Sequence, residues 1–198
     1  MTLGKLTKFW KLRKFGCTTS AFMNYKGNIF AISGSLRTGS SNHNILKFLG
    51  RLIPADINYS IYDRLADIPP FDPGLDHEYP PESASELRSL MKDTSGIIIC
   101  TPEYAFGVPG QLKNMLDWMV SSGSLVDKPV ALITASSVGS HAHEALLLTL
   151  RALSAKVTEG ATLLIPFIRS KIDVNGNITD EQTEGALRDV MEVFLKEI

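Results

Sequence analysis

The run Ser33-Gly34-Ser35-Leu36-Arg37-Thr38-Gly39-Ser40-Ser41-Asn42 holds the residue types that an anion needs. Glycines let the backbone approach a ligand with no Cβ in the way. Ser hydroxyls and free N–H groups at a helix start supply donors, and the helix dipole favours negative charge there. Arg37 adds a planar fork of donors. An apolar run, Ile29-Phe30-Ala31-Ile32, precedes this loop, and an amphipathic stretch at 45–53 follows it. Strand, small-residue loop and helix start is the order that builds a phosphate site; a plain polar turn has the same outline. The loop is neither G-x-x-x-x-G-K-[ST] nor G-x-G-x-x-G, which disfavours an NTPase P-loop and a dinucleotide fingerprint.

A second loop reads Thr101-Pro102-Glu103-Tyr104-Ala105-Phe106-Gly107-Val108-Pro109-Gly110. Its aromatics, prolines and glycines make a stiff, shaped wall with backbone groups free to hydrogen-bond. A flat heteroaromatic ligand could lie along it; a rigid turn whose aromatics cap a sheet is the other reading. Pro109 suits the first position of a helix, where its missing N–H costs nothing. A third polar loop covers 134–141, with Ser136 and Gly139.

Other chemistry is poorly supported. His141 and His143 straddle a helix start and read as surface or capping residues, with contact to a substrate as the alternative. Four scattered histidines and two cysteines, Cys17 and Cys100, offer no metal-site spacing and no disulfide framework. Cys100 ends an apolar run and reads as a packing residue. No G-x-S-x-G elbow is present, so a hydrolase triad has no support.

The elements that must position these loops alternate from residue 28 onward. Strand patterns fall at 28–33, 56–62, 96–101, 129–134 and 161–165. Helix patterns fall at 42–53, 82–92, 111–122, 143–154 and 180–196. Five βα units read as a doubly wound α/β fold, a three-layer sandwich about one five-stranded parallel sheet. Ile97-Ile98-Ile99 and Val130-Ala131-Leu132-Ile133 are apolar throughout, as strands covered on both faces are. Ile57-Asn58-Tyr59-Ser60-Ile61-Tyr62 alternates, as an edge strand does. A second strand at the edge fits the flavodoxin-like order 2-1-3-4-5, whose ligands bind beyond the carboxyl ends of the strands at the switch between strands one and three. A long irregular connection, 63–81, has the length of a functional loop.

With 198 residues the chain suits one domain, placed at 23–198. Its net charge of −1 hides an asymmetry: no acid precedes Asp56, while Lys5, Lys8, Lys11, Arg13 and Lys14 crowd residues 1–22. Setting those five aside leaves 15 basic and 21 acidic residues, a balance of −6. A domain with that balance does not bind nucleic acid through a general basic face. Residues 1–22 read as a segment before a true start at Met23, a disordered tail, or a basic membrane-surface or transit-like helix. No apolar run is long enough to span a membrane, and the sparing use of cysteine suits a reducing cytoplasm.

Taken together, Gly34-Ser35-Leu36-Arg37-x-Gly39-Ser40-x-Asn42, Thr101-Pro102-Glu103-Tyr104, Pro109-Gly110-x-Leu112-Lys113-Asn114-x-x-Asp117-Trp118, Lys128-Pro129-Val130 and Ser136-x-x-Gly139 resemble the NADPH-dependent FMN reductase family. That family includes chromate-, azo-dye- and quinone-reducing flavoproteins. The resemblance implies FMN as cofactor and NADPH or NADH as co-substrate. It implies that Ser35, Arg37, Ser40 and Asn42 hold the FMN phosphate and its surroundings. Pro102, Glu103 and Tyr104, with Ala105 and Phe106, then line the isoalloxazine, and Ser136 and Gly139 close the site. Two positions depart from the family pattern: Ala105 stands where many members have Asn, and Ser140-His141 where many have Gly-Gly. The resemblance further implies a ping-pong cycle, hydride passing from nicotinamide to flavin and electrons then passing to a quinone, azo compound, free flavin or metal oxyanion. No acid–base side chain is required. It also implies a homodimer or homotetramer. The rival reading is a non-enzymatic electron carrier of flavodoxin type, which shares the fold.

Overall fold

The computed structural model describes residues 27–198. Residues 1–22, with Cys17, and the start expected at Met23 lie outside the described residues. Five strands, β1 (Gly27–Ser33), β2 (Ile57–Tyr62), β3 (Gly96–Thr101), β4 (Val130–Ala135) and β5 (Thr162–Ile165), form one parallel sheet. Its order is β2-β1-β3-β4-β5. The helices are α1 (Ser41–Gly50), α2 (Glu82–Lys92), α3 (Gly110–Trp118), α4 (Ser140–Ala152) and α5 (Glu181–Leu195).

The strand sequences explain the three layers. Successive residues of a strand point to opposite faces, so β1, β3 and β4 each feed two cores. Phe30, Ile32, Ile97, Ile99, Val130 and Leu132 bury against Leu87 and Met91 of α2, Leu112 and Met115 of α3 and Leu146 and Leu150 of α4. Ile29, Ala31, Ile98, Cys100, Ala131 and Ile133 bury against Ile45, Leu46 and Leu49 of α1 and Leu187, Val190 and Phe194 of α5. β3 and β4 are buried at every residue, whereas β2 alternates and stands at the edge.

Three helix ends differ from the sequence expectation by three residues or more. α1 stops at Gly50 rather than at 53: Arg51 caps it through bonds to the carbonyls of Phe48 and Leu49, and Pro54 forbids continuation. α3 stops at Trp118 rather than at 122, because the Trp118 carbonyl accepts from Arg88 Nε at 2.9 Å and Nη2 at 2.5 Å. α4 begins at Ser140 rather than at 143, for a reason given with the site.

The long connection 63–81 is ordered and belongs to the scaffold. Gln111 Nε2 donates to the carbonyls of Leu65 and Ile68, both at 2.8 Å. Asn114 accepts from Phe71 N–H at 2.7 Å and donates to Pro69 O at 2.9 Å, which also takes the indole N–H of the buried Trp118. Gln111, Asn114 and Trp118 therefore clamp this connection onto α3.

Candidate functional site

Beyond the carboxyl ends of β1, β3 and β4 lies a cleft of about 340 Å³. Ser35, Arg37, Ser40 and Asn42 line it from the first loop, Pro102, Glu103 and Tyr104 from the second and Ser136 from the third. Eight of the predicted site residues thus meet in one place. Ala105, Phe106 and Gly139, also expected at the site, are not among the residues that line it.

The first loop is built for close approach. A Cβ on Gly34 would fall 2.1 Å from Thr101 Oγ1, so only glycine lets β1 leave the sheet here. Gly34 N–H donates to Cys100 O at 2.9 Å. Gly39 has φ +67 and open space around it, so its requirement is conformational. Ser40 caps α1, its Oγ accepting from His43 N–H at 3.2 Å. The N–H groups of Ser41 and Asn42 open the helix, where no intrahelical acceptor exists for them. Asn42 plays two parts: its N–H faces the cleft end of α1, while its buried side chain joins elements. Its Nδ2 donates to Ala135 O at 3.3 Å, and Cys100 Sγ donates to its Oδ1 at 3.3 Å. Burial pushes the Cys100 thiol pKa well up, consistent with a packing residue.

The second loop turns over as a tight hairpin. Tyr104 and Gly107 exchange backbone bonds at 3.0 and 2.9 Å, leaving Ala105 (φ 48) and Phe106 (φ 59) as a two-residue turn in the left-handed region. That turn type favours Asn or Gly. The Phe106 ring packs edge-on to His141 with centroids 5.2 Å apart.

Glu103 does something the sequence did not disclose. Its backbone N–H donates to Ser136 Oγ at 3.1 Å, and its nearly buried carboxylate turns to α4, accepting from Ala142 N–H at 2.9 Å. The helix N-cap is Gly139 (φ 97), which has no side chain to offer. Glu103 supplies the cap instead, and α4 can begin three residues early. The Ala142 bond, with lesser help from Gly139 and His141, holds the Glu103 carboxyl below its ordinary pKa despite its burial. His143 is neither a surface nor a capping residue: its Nδ1 lies 2.9 Å from Thr134 Oγ1, and burial lowers its pKa. His141 is exposed, 3.8 Å from the Glu103 carboxylate.

A fourth wall comes from outside the three loops. Ile168 and Arg169 line the cleft from a one-turn helix, Ile168–Lys171, after β5, and Ser137 joins Ser136 from the third loop. The signal was available in principle, because the β5–α5 connection leaves the same edge of the sheet as the other site loops.

A phosphorylated, flat heterocycle fits these residues. The cleft size is in the range of small-ligand sites, hydroxyls and open N–H groups gather at the α1 start, and Glu103, the carboxylate lining it, is committed to α4. Residues 28–169 match the model of the NADPH-dependent FMN reductase family. The chain belongs to that family. It is an oxidoreductase of flavodoxin-like fold, with FMN as cofactor and NAD(P)H as reductant. A quinone reductase of Escherichia coli (strain K12) is 31% identical over 168 residues, 81% of this chain and 89% of that protein. A 2-hydroxy-1,4-benzoquinone reductase of Burkholderia sp is 32% identical over 173 residues, 84% of this chain and 93% of that protein. Among solved structures, the NAD(P)H:(acceptor) oxidoreductase FerB of Paracoccus denitrificans superposes with a TM-score of 0.67 at 22% identity, covering 86% of this chain and 96% of that one.

Proposed function

We propose that this FMN reductase passes electrons from NAD(P)H to a quinone in a ping-pong cycle, donor and acceptor using one open face in turn. The observation that carries the reading is the meeting, at one cleft, of the α1 start and the Pro102–Glu103–Tyr104 wall. Bound FMN supplies the two-electron chemistry linking a nicotinamide to a second acceptor. The chain's own residues bind and orient. Ser35, Ser40, Arg37 and the first N–H groups of α1 hold a phosphate, and the carbonyl oxygens of Pro102 and Glu103 accept from a ring edge, the N–H groups of Glu103 and Tyr104 being taken by Ser136 Oγ and Gly107 O. Glu103 keeps that wall rigid by tying it to α4, and its carboxylate is thereby withdrawn from proton transfer. Quinone is the acceptor favoured among azo compounds, free flavin and metal oxyanions, because relatives spanning most of the chain are named for quinones.

Leu36, Tyr104, Phe106 and Val138 are exposed on the loops that form or adjoin the cleft, and a second copy of the chain would cover them in a homodimer or homotetramer. Sedimentation velocity tests this; a monomer at micromolar concentration rejects it. Among the described residues no helix is long and apolar enough to cross a membrane, and a cytoplasmic location is part of the proposal.

The decisive experiment is steady-state oxidation of NADH and NADPH with a benzoquinone or menadione as acceptor. Parallel double-reciprocal lines are expected. Intersecting lines reject the ping-pong order, and absence of quinone turnover alongside azo-dye or flavin turnover rejects the acceptor. Heat-released cofactor should chromatograph as FMN.

A further inference from the structure

The β5–α5 connection brings to the cleft a cation that the phosphate loop does not contain. Its backbone is fixed on both sides of Arg169. Phe167 N–H donates to Ser137 O at 3.2 Å and Ile168 N–H to Ser136 O at 3.1 Å, stitching the segment to the third loop. The Ile168 side chain, 4% exposed, is buried in the core shared by α1 and α5. Ser170 N–H and Oγ both donate back to Phe167 O, at 3.0 and 2.9 Å. Further along, a Cβ on Gly176 would meet Asn44 Nδ2 at 2.3 Å, so the same connection lies against the first turn of α1.

The charges around it are unequal. Among the described residues Arg64, Arg88 and Arg188 have carboxylate partners, and Lys171, two residues on, pairs with Asp180 at 2.9 Å. Arg37 and Arg169, which line the cleft together, have no carboxylate partner among the described residues. Glu103 shares the cleft but its carboxylate is engaged by α4. Two guanidinium groups left without a counter-charge beside a helix N-terminus describe a site for more than one negative charge. A terminal phosphomonoester carries about −1.5 to −2 at neutral pH, and a single arginine offsets only part of that.

We propose that Arg169 is a second phosphate-binding side chain, acting with Arg37 on the terminal phosphomonoester of the flavin. This rests on the FMN reading above and extends it to a residue outside the phosphate loop. The two cations together make the cleft select a dianionic phosphomonoester over the neutral hydroxyl that ends riboflavin. Arg169 approaches from the β5–α5 connection, so its contribution depends on the anchoring by Ser136, Ser137 and Ile168.

The test is fluorescence titration of apoprotein with FMN and with riboflavin, for the wild type, Arg169→Gln and Arg169→Lys. Loss of one charge-assisted contact should weaken FMN binding about ten- to a hundredfold in Arg169→Gln. Riboflavin affinity should stay within about twofold, and Arg169→Lys should be intermediate, since a point charge cannot reproduce a two-pronged contact. Protection of the wild-type apoprotein against heat by inorganic phosphate should fall in Arg169→Gln as well. Retained riboflavin binding shows that the variants are folded. Equal loss of both flavins overturns the proposal, because Arg169 then acts on the ring or the loop structure. Unchanged FMN binding and unchanged phosphate protection also overturn it while leaving the FMN reading intact. A wild-type protein that binds neither flavin overturns that reading and this proposal with it.

Discussion

The carboxylate of Glu103 accepts a hydrogen bond from the Ala142 N–H at 2.9 Å, so that a side chain of the β3–α3 loop caps α4. The relationship joins two walls of the cleft. One end of Glu103 is held by the helix start and the other by Ser136 Oγ, and the backbone of 102–104 is pinned between them. A charged oxygen at a helix N-terminus is favoured by the open N–H groups and by the dipole.

Replacing that carboxylate should therefore loosen two loops at once. Glu103→Ala is expected to lower stability by about 0.5–2 kcal/mol, the range for loss of a helix cap. Glu103→Gln keeps an acceptor and loses the charge, so its loss should be smaller. Urea unfolding measures both. An alanine variant as stable as the wild type would show that the Ala142 contact contributes nothing.

The same contact sets a pH dependence of known sign. The Ala142 bond holds the folded Glu103 pKa below the unfolded value, which is about 4.3 for a free Glu. The folded protein thus binds fewer protons at this site, and stability rises with pH. The stabilisation is complete above about pH 5 and disappears as pH falls through the depressed folded value. Urea midpoints at several pH values should show wild type and Glu103→Gln converging in acid and separating toward neutrality. A constant gap would mean that the carboxylate does not titrate with the fold.

Arg37 should distinguish FMN from riboflavin. Arg37→Ala is expected to cost about ten- to a hundredfold in FMN affinity, the value of roughly 1.5–3 kcal/mol for a charge-assisted bond, with riboflavin affinity nearly unchanged. Arg37→Lys should recover part of the loss. Equal weakening of both flavins would place the side chain at the ring or in the loop scaffold instead of at the phosphate.

The hairpin tip carries avoidable strain. Ala105 sits at φ 48 and Phe106 at φ 59, where an ordinary L-residue costs roughly 1–2 kcal/mol. Asn tolerates that region, so Ala105→Asn should raise stability by about 0.5–1 kcal/mol and Tm by about 1–4 °C. A lowered Tm would show that the Ala105 methyl group contributes packing that outweighs the backbone preference.

The fold and most of the cleft could be read from the chain alone, because the signals are local. Val130-Ala131-Leu132-Ile133 has to be covered on both faces, and the alternation from Ile57 to Tyr62 has to lie at an edge. Those two facts favour the strand order, and the order dictates that the loops after β1, β3 and β4 meet. The small residues from Gly34 to Asn42 announce the anion site because backbone approach and helix capping are matters of a few adjacent residues. What the tertiary structure decided depends on contacts between residues far apart in sequence. The start of α4 is invisible to local pattern because its cap comes from Glu103, which is 39 positions from Ala142. The end of α3 is likewise set from a distance, because Arg88, 30 positions away, takes the Trp118 carbonyl. Arg169 is not legible in the chain because nothing in its own neighbourhood resembles a binding motif. The buried Ile168 side chain and the backbone bonds from Phe167 and Ile168 to Ser137 and Ser136 carry it to the cleft, and a sequence pattern cannot register a hydrogen bond between two loops that meet only when the sheet has closed.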